Sequence, residues 1–151
     1  SPTRPLRWSD FRASAPRGGE LNALSAWTIE TSGLRCDAPG SFHAGARAVF
    51  LPDQSWARAA PSSALLAHEQ GHFDLAEVYA RRLRDRLRKE VAPLCPGSAA
   101  AAAAQRIYDE VLDAAEAESL RYDSETAHGQ RLDEQRRWRK RISAELDLRA
   151  R

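Results

Sequence analysis

The 151-residue chain contains no methionine, only two cysteines, and no apolar run long enough to cross a membrane as a helix. Each shortage excludes something. Without a long apolar run no membrane-spanning helix is expected, and no secretion signal is visible at the first residues. The missing methionine predicts a processed or trimmed product, which a removed secretion signal or a cut fragment would equally explain. Cys36 and Cys95 stand far apart and form no C-x-x-C spacing, which argues against a thiolate metal site. A formal net charge of only +2 gives no reason to expect a nucleic-acid partner. The sequence shows no internal repeat.

What is present describes one ordinary domain over 1–151, long enough to bury a core without relying on crosslinks. Apolar residues make up 42% and charged residues 29%, a globular rather than a disordered balance. The two cysteines are expected to pair, because Cys95 lies in the loop-like stretch Pro93-Leu94-Cys95-Pro96-Gly97. Such a bond closes a loop of about 60 residues and is worth ~4 kcal/mol in the chain-entropy model. Two unpaired thiols in a cytosolic protein are the competing reading.

The N-terminal third, 1–61, reads as strand and loop, and 62–151 as mainly helical. Ser25 to Ser32 carries the β-favouring residues Trp27, Thr28, Ile29 and Thr31. Phe42 to Leu51 reads as a second strand, with Pro39-Gly40 as turn chemistry before it. Leu6 to Phe11 is a short strand or an irregular lead-in. Pro61-Ser62-Ser63 supplies a stop and a cap for a long helix that ends at Pro93, with Leu66, Phe73, Ala76, Ala80, Leu83 and Leu87 on its inner face. Ser98 is expected to cap a second helix that opens with the Ala99–Ala104 run. Its stripes are Tyr108, Leu112, Ala115 and Ser119, and alongside them Ile107, Val111 and Ala114. A third helix is expected from Gln130 to Leu148, with Leu132, Trp138, Ile142 and Leu146 turned inward. The fold class is α+β: a small N-terminal antiparallel sheet packed on one long helix and two further helices.

The long helix carries the chemistry. His68-Glu69-Gln70-Gly71-His72 fits H-E-x-x-H, in which two imidazoles one helical turn apart face one metal ion. Glu69, rotated roughly 100° from His68, reaches the water on that ion and not the ion itself. Leu65, Leu66, Ala67 and Phe73 make this turn apolar, so the cluster faces the interior or a cleft. Three ionisable groups there are costly without a cation. Zn2+ is the expected metal.

A catalytic zinc needs a third protein ligand and an open position. The stretch from Tyr122 to Gly129 concentrates candidates. His128 is the first choice, because His128-Gly129 reads as a turn that aims the imidazole back at the long helix. Asp123, Glu125, Glu118 and His43 are the alternatives, and Asp74 lies on the wrong side of the helix. Tyr122 is a candidate oxyanion stabiliser, with an interior tyrosine packed on the long helix as the competing reading. Asp123 either orients a ligand imidazole or pairs with an arginine. The charges of Arg136 to Arg141 spread around a helix and read as a solvated face.

These segments together resemble a bacterial family of predicted secreted zinc-dependent proteases, long catalogued as a domain of unknown function. The landmarks are Trp8-Ser9-Asp10-Phe11, Ser55-Trp56, Leu65-Leu66-Ala67-His68-Glu69-Gln70-Gly71-His72-Phe73-Asp74, Tyr122-Asp123-Ser124-Glu125-Thr126-Ala127-His128-Gly129, and Gln135 with Trp138. The resemblance runs in order over nearly the whole chain. It implies a zincin-like metallopeptidase, secreted or periplasmic, acting on a peptide or protein substrate with Glu69 as general base. By fold analogy the strand ending at Leu51 is expected to bind substrate by strand addition. A zinc-stabilised, non-catalytic scaffold of the cell envelope is the alternative.

Overall fold

A computed structural model describes residues 3–59 and 61–148. Residues 1, 2, 60 and 149–151 of the expected domain lie outside the described residues. The architecture is α+β: two small antiparallel strand pairs and three helices. The strands are β1 (Ala23–Leu24), β2 (Trp27–Ala38), β3 (Ser41–Phe50) and β4 (Trp56–Ala57). The helices are α1 (Ser63–Arg86), α2 (Ala99–Thr126) and α3 (Leu132–Leu148).

β2 and β3 form a hairpin in which Trp27 faces Phe50 and Ala38 faces Ser41. Gly40 takes φ 74° in the turn, a conformation open to glycine without strain. β2 begins later and runs further than its composition suggests, and before it Ser25 N–H is bonded to Glu69 rather than to β3. Ala26 N–H donates to Ser55 Oγ at 2.9 Å, and Ala26 C=O accepts from Leu51 N–H at 2.9 Å. β1 pairs with β4, Ala23 opposite Ala57. The lead-in at Trp8–Asp10 is a 3-10 turn rather than a strand.

α1 starts where expected, with Ser62 Oγ accepting from Leu65 N–H at 3.1 Å. It continues as a π turn over Leu87–Val91 and a 3-10 turn at Ala92–Leu94, where Pro93 ends the run. Ala80, Leu83 and Leu87 are buried against Ile29, Phe42, Ala44 and Ala46 of the hairpin and Ala104, Ile107, Val111 and Ala115 of α2, and Ala76 is buried as well. The alanine run is therefore ordered helix, with Ala100 and Ala104 as packing residues. The buried stripe of α2 continues through Tyr122; Ala114, expected inside, is exposed. Ser98 precedes α2 without a side-chain cap bond. On α3, Trp138 and Ile142 join Leu75, Val78 and Tyr122 in a second cluster with Leu146 packed beside it. Leu132, expected inside, is the first residue of α3 and is exposed. The basic residues from Arg136 to Arg141 are exposed while Trp138 is buried among them, and Arg141 lies 3.9 Å from the Trp138 ring centre.

Cys36 and Cys95 are bonded and tie the hairpin to the α1–α2 connection. The outer edge of β3 is closed by α1. Ala48 N–H donates to Glu77 at 3.1 Å, and Arg84 and Arg88 donate to Ala46 C=O and Ala44 C=O at 3.2 and 3.0 Å. These bonds occupy three of the polar groups that an added strand would use on this edge.

Candidate metal centre and its cleft

His68 and His72 lie one turn apart on α1, and Asp123 reaches them from the last turn of α2. His68 Nε2 and His72 Nε2 are 3.2 Å apart, and Asp123 Oδ1 lies 2.9 Å from each. Ligand atoms about 2.0–2.1 Å from a tetrahedral zinc stand about 3.3–3.4 Å apart. The triangle is close to that size, and its imidazole and carboxylate donors are the types zinc takes. The donor set fits a divalent ion. His68, Asp123 and His128 also offer atoms within 4.8 Å of one another.

Burial works against charge on Asp123, but hydrogen bonds from His68 and His72 outweigh it and hold the carboxyl well below the usual range. His72 Nδ1 sits 2.7 Å from Ser119 Oγ, and His68 Nδ1 sits 3.1 Å from Gln135 Oε1. Both imidazoles are thus held at their far nitrogens, the arrangement that orients metal-binding histidines.

His128 stands at the mouth of the site, its side chain 52% exposed, with Nδ1 3.3 Å from Asp123 Oδ1. It is carried on a turn where Ala127, His128 and Gly129 take φ 46°, 53° and 83°. Two consecutive non-glycine residues in the left-handed region cost of order 1–3 kcal/mol each, and such strain gathers at functional sites. Thr126 holds the turn: its Oγ1 accepts from Gly129 N–H at 3.2 Å and its C=O from Arg131 N–H at 2.8 Å. A Cβ at Gly129 would fall 2.8 Å from His68 Cβ, so only glycine lets the turn close over that imidazole.

Glu69 is buried, and its Oε2 accepts from Ser25 Oγ at 2.6 Å and from Ser25 N–H at 2.9 Å. Among the described residues nothing is bonded to Oε1. Ser55 fixes this arrangement from behind by binding Ala26 N–H and donating to Leu51 C=O at 2.8 Å.

Tyr122 does not face the cleft. It is fully buried, stacked on His68 with ring centres 4.6 Å apart, and its hydroxyl donates to His68 C=O at 3.1 Å. Burial pushes its pKa well up, so it stays a neutral phenol. The expected oxyanion role is corrected to that of an interior tyrosine beneath α1, because the hydroxyl is committed to α1 and α3. Gly71 permits this, since a Cβ there would collide with the Tyr122 hydroxyl. Glu125 bonds Arg121 and Trp138, and Glu118 pairs with Arg141. His43 lies 4.0 Å from Asp37 at the far end of the hairpin. Asp74 bonds Thr3 and Gln70 on the outer side of α1. None of these four belongs to the cluster.

The site opens into a cleft of about 770 Å³. One wall is the extended segment from Glu20 to Trp27; the other carries Glu116, Ser119, Asp123 and His128. The lining includes Glu20, Glu69, Glu116 and Asp123 and, among the described residues, no lysine or arginine. Sequence reasoning gave Ser25, Ser119 and Gln135 no part in the site, although Ser119 was placed on a stripe of α2 and Gln135 among the landmarks of the resemblance. Ser119 was within reach, since it lies one helical turn before Asp123. The contact of Ser25 with Glu69 spans 44 residues and leaves no local signal.

A family model described as bacterial protein of unknown function (DUF922) matches residues 48–129. The match takes in α1 and α2 whole, and with them His68, Glu69, His72, Ser119, Asp123 and His128. It leaves out Ser25 and Gln135. No curated protein and no solved structure matches the chain.

Proposed function

The chain belongs to the DUF922 family of bacterial proteins, and on that footing we propose that it is a zincin-like, zinc-dependent metallopeptidase. The observation that carries the reading is the convergence of His68, His72 and Asp123 beside a separately held Glu69. His68, His72 and Asp123 would hold the ion. Zinc there would supply Lewis acidity, polarising the scissile carbonyl and lowering the pKa of water toward ~7. Glu69 then works as general base on Oε1, the oxygen Ser25 leaves free, taking the proton of the attacking water and passing it to the leaving amine. Ser25 holds the other oxygen, so the carboxylate points one way throughout.

Substrate is taken to be a peptide or protein lying along the wall from Glu20 to Trp27. The carboxylates of that cleft favour basic residues near the scissile bond. The Cys36–Cys95 bond fits an oxidising compartment, so the protein is read as secreted or periplasmic. No helix among the described residues is long and apolar enough to cross a membrane.

A second reading, a zinc-stabilised scaffold without turnover, is favoured by His128. Its Nδ1 is a fourth donor, 3.3 Å from Asp123 Oδ1, and four protein ligands would close the site. Glu69→Gln separates the two. In a peptidase this variant keeps its zinc and loses peptide cleavage by about 10²–10⁴-fold. A zinc-loaded wild type that cleaves no peptide and shows four protein ligands by X-ray absorption would establish the scaffold instead.

A further inference from the structure

Behind the metal-facing side of His68 runs a chain of hydrogen bonds that returns to the same residue. Tyr122 Oη lies 3.1 Å from His68 C=O, Gln135 Nε2 is bonded to Tyr122 Oη, and Gln135 Oε1 lies 3.1 Å from His68 Nδ1. Every direction in this loop is forced. A carbonyl only accepts, so the single phenolic hydrogen goes to His68 C=O. The phenol oxygen must then accept, and only the amide NH₂ of Gln135 can donate to it. That turns Oε1 of Gln135 toward His68, and an amide oxygen accepts only from a protonated Nδ1. With a hydrogen kept on Nδ1, Nε2 is the nitrogen left for a metal, which would take the place of the hydrogen that Asp123 accepts there.

We infer that Gln135 and Tyr122 act as positioning residues that hold a hydrogen on His68 Nδ1 and so reserve Nε2 as the nitrogen that takes a metal. The inference rests on the metal reading above and adds to it the device that selects the protonation site. Gln135 is buried on α3 beside Tyr122 and Trp138, where an apolar side chain would pack without desolvating an amide. Both ends of the amide are used, one on each partner. The relay spans all three helices: His68 on α1, Tyr122 on α2 and Gln135 on α3. Docking of α3 thereby becomes a condition for a competent site.

The test measures zinc affinity by chelator competition, and needs no peptidase assay. Gln135→Leu removes the acceptor and is expected to weaken zinc binding 10–100-fold. Gln135→Glu keeps an acceptor for Nδ1–H and should bind zinc at least as tightly as wild type. In zinc-loaded wild type, the His68 Nδ1–H proton should give a slowly exchanging, hydrogen-bonded NMR resonance that Gln135→Leu loses. Unchanged affinity in Gln135→Leu overturns the relay, and so does a Gln135→Glu variant as weak as Gln135→Leu, which would mark a packing role. If Gln135→Leu does not fold, Tyr122→Phe decides, since it keeps the ring on His68 and frees the amide to turn. Roughly tenfold weaker zinc binding supports the relay, and unchanged binding overturns it. Wild type that holds no zinc overturns the metal reading itself, whereas zinc-loaded wild type with unaffected variants overturns only the relay.

Discussion

Ser25 grips Glu69 twice on one oxygen, through Oγ at 2.6 Å and its backbone N–H at 2.9 Å. The carboxylate is thereby held with its other oxygen toward the cleft. Ser25→Ala removes one of the two bonds and leaves the backbone bond in place. The expected outcome is a roughly tenfold fall in kcat, about 1.4 kcal/mol, with zinc content unchanged. Steady-state kinetics beside metal analysis checks it. Wild-type kcat in this variant would show that the backbone bond alone positions Glu69.

Gly71 lies beneath the Tyr122 hydroxyl. Alanine is the better helix former by about 1 kcal/mol, so propensity alone predicts that Gly71→Ala is stabilising. The collision opposes this: Tyr122 is fully buried and cannot withdraw, and overpacking costs about 1–3 kcal/mol, occasionally more. The clash should win, lowering the denaturation midpoint and weakening zinc binding together. A more stable Gly71→Ala would mean that Tyr122 is free to shift.

The carboxyl of Asp123 is held below its ordinary range by His68 and His72, against the effect of burial. The unfolded chain therefore binds a proton at this group before the folded protein does. Stability from Asp123 is complete above the ordinary carboxylate pKa of about 4 and drains away as pH falls below it. Metal-free wild type should exceed Asp123→Asn in stability at neutral pH, and the two should converge on acidification below about pH 4. Chemical denaturation across pH measures this. Parallel curves would count against the His–Asp contacts.

The Cys36–Cys95 bond closes a loop whose ends are 59 residues apart. Replacing both cysteines by serine should cost up to ~4 kcal/mol, and reduction of the wild type should cost the same. Denaturant unfolding with and without reductant gives both values. Neither cysteine lines the cleft, so zinc affinity is expected to be unchanged in the variant while it stays folded.

Much of the scaffold was legible. The start of α1 follows from Ser62, the end of the π and 3-10 turns that continue it from Pro93, and its inner face from the three- and four-residue steps of Ala76, Ala80, Leu83 and Leu87. The hairpin follows from Pro39-Gly40 between two β-rich runs. Other parts were not. β1 and β4 are two residues each and exist only by pairing across 32 residues of sequence or more, so neither carries a periodic signal. Leu132 looks like a core residue by composition, but at the first position of α3 it is exposed.

The sequence by itself determined that two imidazoles and a carboxylate share one turn of a capped helix, because helical geometry converts a spacing of four into one face. It also determined that the segment from Tyr122 to Gly129 bears on them. Only the tertiary structure decided which of its members does what. Asp123 points at both Nε2 atoms, Tyr122 lies beneath α1, and His128 waits at the mouth on a left-handed turn. The reason is physical: these roles depend on how α2 and α3 are rotated and docked against α1. That docking is set by side-chain volume and close approach at Gly71 and Gly129, quantities that no local pattern of residues encodes.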